Sequence, residues 1–135
     1  SLLDAIPISM AEFFAHIEAS EVPKFVYKAD EFTEIAPGAP GQVSLRQLGN
    51  VENHSLQVLH ETYPAGADTG PEFLAHQGEE AGIVIRGSIE VTVDGHAHVL
   101  EAGDGYLFDS RLPHRFRNTS DDVCEVMSAC TPPSF

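Results

Sequence analysis

Positive charge is scarce in this chain. Lys and Arg number seven against 21 Asp and Glu over 135 residues, a formal net charge of −14. So acidic a chain does not hold DNA phosphate through its overall field. It favours a cationic or neutral small molecule, or simply stays in solution. Three of the seven bases, Arg111, Arg115 and Arg117, sit together in "RLPHRFR", a patch too small to be a nucleic-acid footprint. Cysteine is nearly absent as well. Cys124 and Cys130 would stand roughly 20 Å apart in an extended strand at about 3.3 Å per residue, too far to bridge. No apolar stretch reaches transmembrane length, and the opening residues lack a signal-peptide pattern. These absences predict a cytoplasmic protein with reduced thiols and no membrane partner. The triplets "NHS" at 53–55 and "NTS" at 118–120 then read as chance matches to a glycosylation acceptor. No repeat and no low-complexity tract is present.

The length predicts one domain, long enough to bury a core. The first twenty residues differ from the rest. After Pro7, "SMAE" at 9–12 matches a capping box, with Ser9 as N-cap and Glu12 reaching back. Met10, Phe13, Phe14 and Ile17 follow at helical spacing, which predicts a short helix over about 10–18. Burying its two phenylalanines is worth several kcal/mol at roughly 25 cal/mol per Å². The helix either lies on its own domain or is the tail of an upstream one. The chain opens on Ser1, not methionine, which fits a removed initiator, a fragment or a trimmed chain.

From Pro23 the periodicity becomes that of strands. "KFVYKA", "VSLRQL" and "LQVLHETY" each read as one. "APGAPG" at 36–41 breaks regular structure and reads as a loop. "GIVIRGSIEVTVDGHAHVL" reads as successive hairpins, with turns at Arg86-Gly87-Ser88 and Asp94-Gly95, the latter suited to type I′ geometry. "AGDGYLFD" and "DVCEVMSA" supply the last strands. Short strands at regular spacing, with no βαβ pattern, predict a sandwich or barrel.

On these strands stands a candidate ligand set. In "AHQGEEAGIVIRG" His76 precedes Glu80 by four residues, and Glu80 precedes Gly87 by seven. In "GDGYLFDSRLPHRFRN" His114 follows Gly103 by eleven. Two imidazoles and a carboxylate suit a borderline divalent ion such as Fe, Zn, Mn or Ni, and a small barrel can bring such residues to one interior point. "HAH" at 96–98 follows a turn with no acid at ligand spacing, and reads as a solvated strand face. His16, His54 and His60 read as surface or satisfied residues. Cys124 and Cys130 share a face and read as small apolar fillers.

Residues from about 60 to 130 resemble a cupin. The first cupin motif is matched by His76, Glu80 and Gly87, the second by Gly103, His114 and Asn118. The pattern departs in two places. Leu74 stands where the family's first histidine falls, and Asp109, Ser110 and Arg111 occupy the P-x-G turn. The resemblance implies an all-β, single-domain cupin (a double-stranded β-helix or jelly-roll barrel) over residues 21–135, behind a short N-terminal helix in a linker over 1–20. It implies His76, Glu80 and His114 as metal ligands. Leucine in place of a fourth ligand leaves two alternatives: one bound divalent metal, or a metal-free organic pocket in which the same residues are polar anchors. Leu74 and Phe116 are the candidate pocket walls.

"GEEAGIVIRGSIEVTV", "FDSRLPHRFRN" and "ACTPPSF" are similar to the cupin half of bacterial helix-turn-helix (XRE-type) transcriptional regulators. "LLDAIPISMAEFF" and "PKFVYKADEFTEIAPG" are similar to their linker and lead-in. No helix-turn-helix segment stands in this chain. The resemblance implies a small-molecule effector-sensing domain, with DNA contacted only through a missing N-terminal domain. The acidic balance suits a polyamine or an amino-acid-like effector. A homodimer is expected, through open strand edges and the first helix's stripe. The alternatives are a small metal-dependent cupin enzyme, of dioxygenase or isomerase type, and an empty-barrel dimerisation module. No catalytic residue is assigned, because the sequence supplies no evident acid–base pair beyond the ligand set.

Overall fold

A computed structural model describes residues 24–70 and 76–134, with Met10 besides. Among these residues are nine strands: β1 (Thr33–Pro37), β2 (Ser44–Gln47), β3 (Gln57–Tyr63), β4 (Glu79–Arg86), β5 (Ser88–Val93), β6 (His96–Glu101), β7 (Gly105–Asp109), β8 (His114–Arg117) and β9 (Cys124–Thr131). All pairings are antiparallel. Six strands form one sheet in the order β1-β2-β3-β9-β4-β7, and three form a second in the order β6-β5-β8. The helix expected over 10–18 lies, but for Met10, outside the described residues.

Period-two burial holds the sheets together. Residues of β3 and β9 alternate buried and half-buried along nearly their whole length, and the strands pair from Gln57 opposite Cys130 to Tyr63 opposite Cys124. Their inward faces therefore point the same way. Tyr63, Val84, Cys124 and Val126 from the large sheet meet Ile89, Val91 and Phe116 from the small one, forming a single core. Burial of this kind contributes about 1.5–3 kcal/mol for each large apolar side chain.

The predicted turns are present. Gly87 has φ +78°, and a Cβ there would collide with the Val123 carbonyl oxygen, so only glycine closes the β4–β5 hairpin. Asp94 and Gly95 both have positive φ, as a two-residue hairpin requires. One expected strand is not there. Lys24–Lys28 is irregular chain leading into a 3-10 turn, Ala29–Glu31. Phe25 is 85% exposed. An alternating pattern becomes a strand only beside a neighbour, and β1 already pairs with β2 at that edge. The "APGAPG" loop is shorter than expected, since Ala36 and Pro37 still pair with Leu45 and Ser44.

Both cysteines lie on the inward face of β9 and are free and buried. Burial, reinforced by the charges of Glu61 and Glu125, pushes the Cys124 thiol up to about 11. The thiolate is the reactive form. Native protein at pH 8 should therefore resist iodoacetamide at Cys124, and that thiol should alkylate once guanidinium unfolds the chain. Rapid native labelling of Cys124, counted by mass spectrometry, would contradict this packing.

Candidate functional site

The inward faces of β3, β4, β8 and β9 enclose a cavity of about 400 Å³. Val43, Leu45, Leu59 and Phe116 supply an apolar wall, and Glu61, Asp68, His76, Glu80 and His114 supply polar groups. Phe116 thus stands at the cavity. Leu74, the other expected wall residue, lies outside the described residues.

His76, Glu80 and His114 come together although the outer two stand 38 positions apart in the chain. Glu80 reaches inward because it opposes Cys130 across the β4–β9 ladder, on the buried side. His114 begins β8 and is 1% exposed. His76 is drawn in by a backbone clip: its N–H donates to the Ser110 carbonyl (2.9 Å), and the Ser110 N–H donates to the Gly78 carbonyl (2.8 Å). The departed P-x-G turn still forms. Asp109 accepts the Arg111 backbone N–H at 2.9 Å, an Asx turn doing the work of proline and glycine.

Glu80 Oε1 lies 2.9 Å from His114 Nε2 and 3.3 Å from His76 Nε2, yet it makes no well-directed hydrogen bond to either ring. The ligand atoms of all three residues lie within 4.8 Å of one another. Ligands each about 2.1 Å from a shared ion sit roughly 3–3.5 Å apart, a range that the Glu80–His76 distance meets and the Glu80–His114 distance approaches. The His114 ring is fixed in place: its Nδ1 is 2.7 Å from the Leu112 carbonyl, an acceptor for a ring proton there, and its Nε2 faces Glu80. Phe108 supports the ring, with centroids 4.9 Å apart. Burial pushes the His114 pKa down, but the adjoining Glu80 carboxylate and the Leu112 carbonyl raise it by more, and it ends above its ordinary value.

Sequence reading missed a second polar group in the cavity. Glu61 accepts the Tyr63 hydroxyl at 2.6 Å and also the Ser128 hydroxyl. Burial raises its carboxyl pKa, against the lowering effect of those two bonds. The cavity therefore does hold a titratable group beyond the ligand set. Its signal was an acid on the buried parity of β3, between Leu59 and Tyr63. Asp68 stands at the same cavity, ion-paired with Arg115, whose guanidinium holds that carboxyl below its usual range.

The other histidines fall elsewhere. His96 and His98 are exposed on β6, His60 pairs with Glu125 at 3.0 Å, and His54 is exposed. His16 lies outside the described residues. Asn118 is not a ligand. Its amide donates to the carbonyls of Tyr63, Pro64 and Asp122 (2.9, 3.2 and 2.7 Å), and its oxygen accepts two bonds from Ser120. It ties the loop after β3 to the turn before β9.

Comparison with known proteins agrees with this geometry. Residues 59–130 match the family described as Cupin_2, cupin domain. The HTH-type transcriptional regulator PuuR of Escherichia coli (strain K12) is 38% identical over 135 residues, covering 99% of this chain and 71% of that one. An RmlC-like cupin from Shewanella frigidimarina superposes with a TM-score of 0.68 at 22% identity, over 82% of this chain and 93% of the other. The Cupin_2 domain of an XRE family transcriptional regulator from Enterobacter cloacae gives 0.61 at 24% identity, over 68% and 98%. The two solved structures bear on fold alone. Motif, fold and sequence identity together show that the chain belongs to the cupin family and is a homologue of the regulator PuuR.

Proposed function

We propose that this chain is the small-molecule effector-sensing domain of a bacterial transcriptional regulator, working in the cytoplasm as a homodimer and reaching DNA through a separate helix-turn-helix domain. The observation that carries the reading is the interior cavity of about 400 Å³, with an apolar wall facing a few fixed polar groups. That is the usual form of a small-molecule site. Its carboxylates, Glu61, Glu80 and Asp68, in a chain of net charge −14, favour a polyamine or amino-acid-like effector. Glu61 is held by neutral hydroxyls only, so a cationic effector would supply the charge it lacks. His76, Glu80 and His114 would hold one divalent ion (Fe, Zn, Mn or Ni) and leave coordination positions open. When bound, that ion would supply a Lewis-acidic anchor for an oxygen or nitrogen of the effector. An effector can act on DNA binding only by favouring one arrangement of the dimer over another.

Calorimetric titration with polyamines, amino acids and uncharged metabolites of similar size tests the reading, with and without added metal. Cationic compounds should bind in the micromolar range, and Glu61→Gln should weaken them about tenfold or more, by loss of a charged partner. No binder at millimolar concentration would overturn it.

The open-sided ligand set favours a second reading, a metal-dependent cupin enzyme with Glu61 as its proton-handling group. In that case His114→Ala would remove metal and turnover together.

A further inference from the structure

On the outward side of the six-stranded sheet, the middle of strands β7, β4, β9 and β3 carries no charge. Its central rows can be read from the strand register. One row runs Leu107, Ala81, Ala129, Val58, and the next runs Gly105, Ile83, Met127, His60. Between Leu107 and Val58 the first row is a trough floored by two alanines. Beside it, Ile83 and Met127 form a ridge. Ile83 is 54% exposed and Leu107 72%. The shallow groove over these rows, about 510 Å³, is lined by no charged residue. Charge stands at its ends. Glu79 lies at the start of β4; at the other end Arg86 meets Glu125 at 3.4 Å, and Glu125 also holds His60.

We propose that this sheet face is the homodimer interface, with two copies stacked about a two-fold axis that crosses the strands between the Ala81 and Ile83 rows. The occupant is a second copy because the face is complementary to itself. That axis exchanges the two rows, so the Ile83–Met127 ridge of each copy enters the Ala81–Ala129 trough of the other. It keeps β4 over β4 but reverses its direction, which places Glu79 of one copy against Arg86 of its partner. An axis parallel to the strands would instead set ridge on ridge and Glu79 on Glu79. Copies of net charge −14 repel one another over most of their surface, and a contact centred on this uncharged groove, with acids and bases both at its ends, keeps that repulsion small. Polar-rimmed apolar patches of this kind mark association surfaces, and sheets stack face to face about 10 Å apart. The inference builds on the homodimer in the reading above. Its test reads association alone, whereas failure of effector sensing shows in calorimetry.

Sedimentation velocity on the whole chain at 5–50 μM should show a species of twice the 14.6 kDa chain mass. Ile83→Glu, at an exposed position that leaves the fold intact by circular dichroism, should weaken association about 100-fold. Val99→Glu, on the exposed side of β6, should not change it. Glu79→Arg and Arg86→Glu should each weaken the dimer, and the double reversal should restore it to within about threefold. A wild-type monomer at 50 μM, or a folded Ile83→Glu protein that stays dimeric, would overturn the interface. Failure of the double reversal to rescue would overturn the axis.

Discussion

Replacing Asn118 with alanine is expected to cost about 3–5 kcal/mol. The side chain is fully buried and makes five hydrogen bonds, three as donor and two as acceptor. Truncation leaves the Tyr63 and Asp122 carbonyls without that partner, and a buried polar group left unpaired costs roughly 1–3 kcal/mol. For a domain of this size the midpoint should fall by about 10–15 °C. Asn118→Asp discriminates further. It keeps the shape but turns a carboxylate toward three carbonyl oxygens, so at neutral pH it should be at least as damaging as alanine. Its deficit should shrink as acid protonates the group. A midpoint within about 3 °C of wild type for Asn118→Ala, by calorimetry, would show that these loops are held by something else.

His114→Ala should weaken divalent-ion binding by about 100-fold or more. Disturbing even the partner of a metal ligand typically costs 10–100-fold, and here one of the three proposed ligands is lost outright. Cobalt(II) titration followed by visible absorbance reads the effect directly, and an unchanged affinity would remove His114 from the ligand set. The pH dependence adds a second check with a definite sign. In metal-free protein the His114 pKa is raised above its ordinary value of 6.5. The stability contributed by its protonated ring is therefore full below about 6.5 and is lost as pH rises through the folded-state value. Without metal, the substitution should cost more at pH 6 than at pH 8.5. With saturating metal the order reverses, because the ion takes the neutral ring and its affinity climbs with pH.

The hairpins from β4 to β6 were legible in the sequence because their punctuation is local. Gly87 and Asp94-Gly95 are demanded by backbone geometry, whatever the rest of the chain does. That His76, Glu80 and His114 come together was legible through spacing. Glu61 was legible only as an acid on the parity of Leu59 and Tyr63 in "LQVLHETY"; its partner Ser128 comes from β9, a pairing that nothing local reveals. The same dependence explains the failed strand at "KFVYKA", whose alternation is real but whose sheet edge is taken by β1. Asn118 was legible as a motif position but not in its role. Spacing alone cannot tell a ligand from a cross-link, and only the three carbonyls around its amide decide between them.

Strand β4 has two clients. Glu80 faces the cavity, while Ala81 and Ile83 face outward. Because parity alone assigns each residue to its side, one codon gained or lost within this strand would exchange the two faces at a stroke. The apolar pair would then sit at the ligand trio and the acid in the greasy stripe. Homologues that share both surfaces must therefore keep this segment at constant length while its composition drifts, and their indels should gather in the connecting loops.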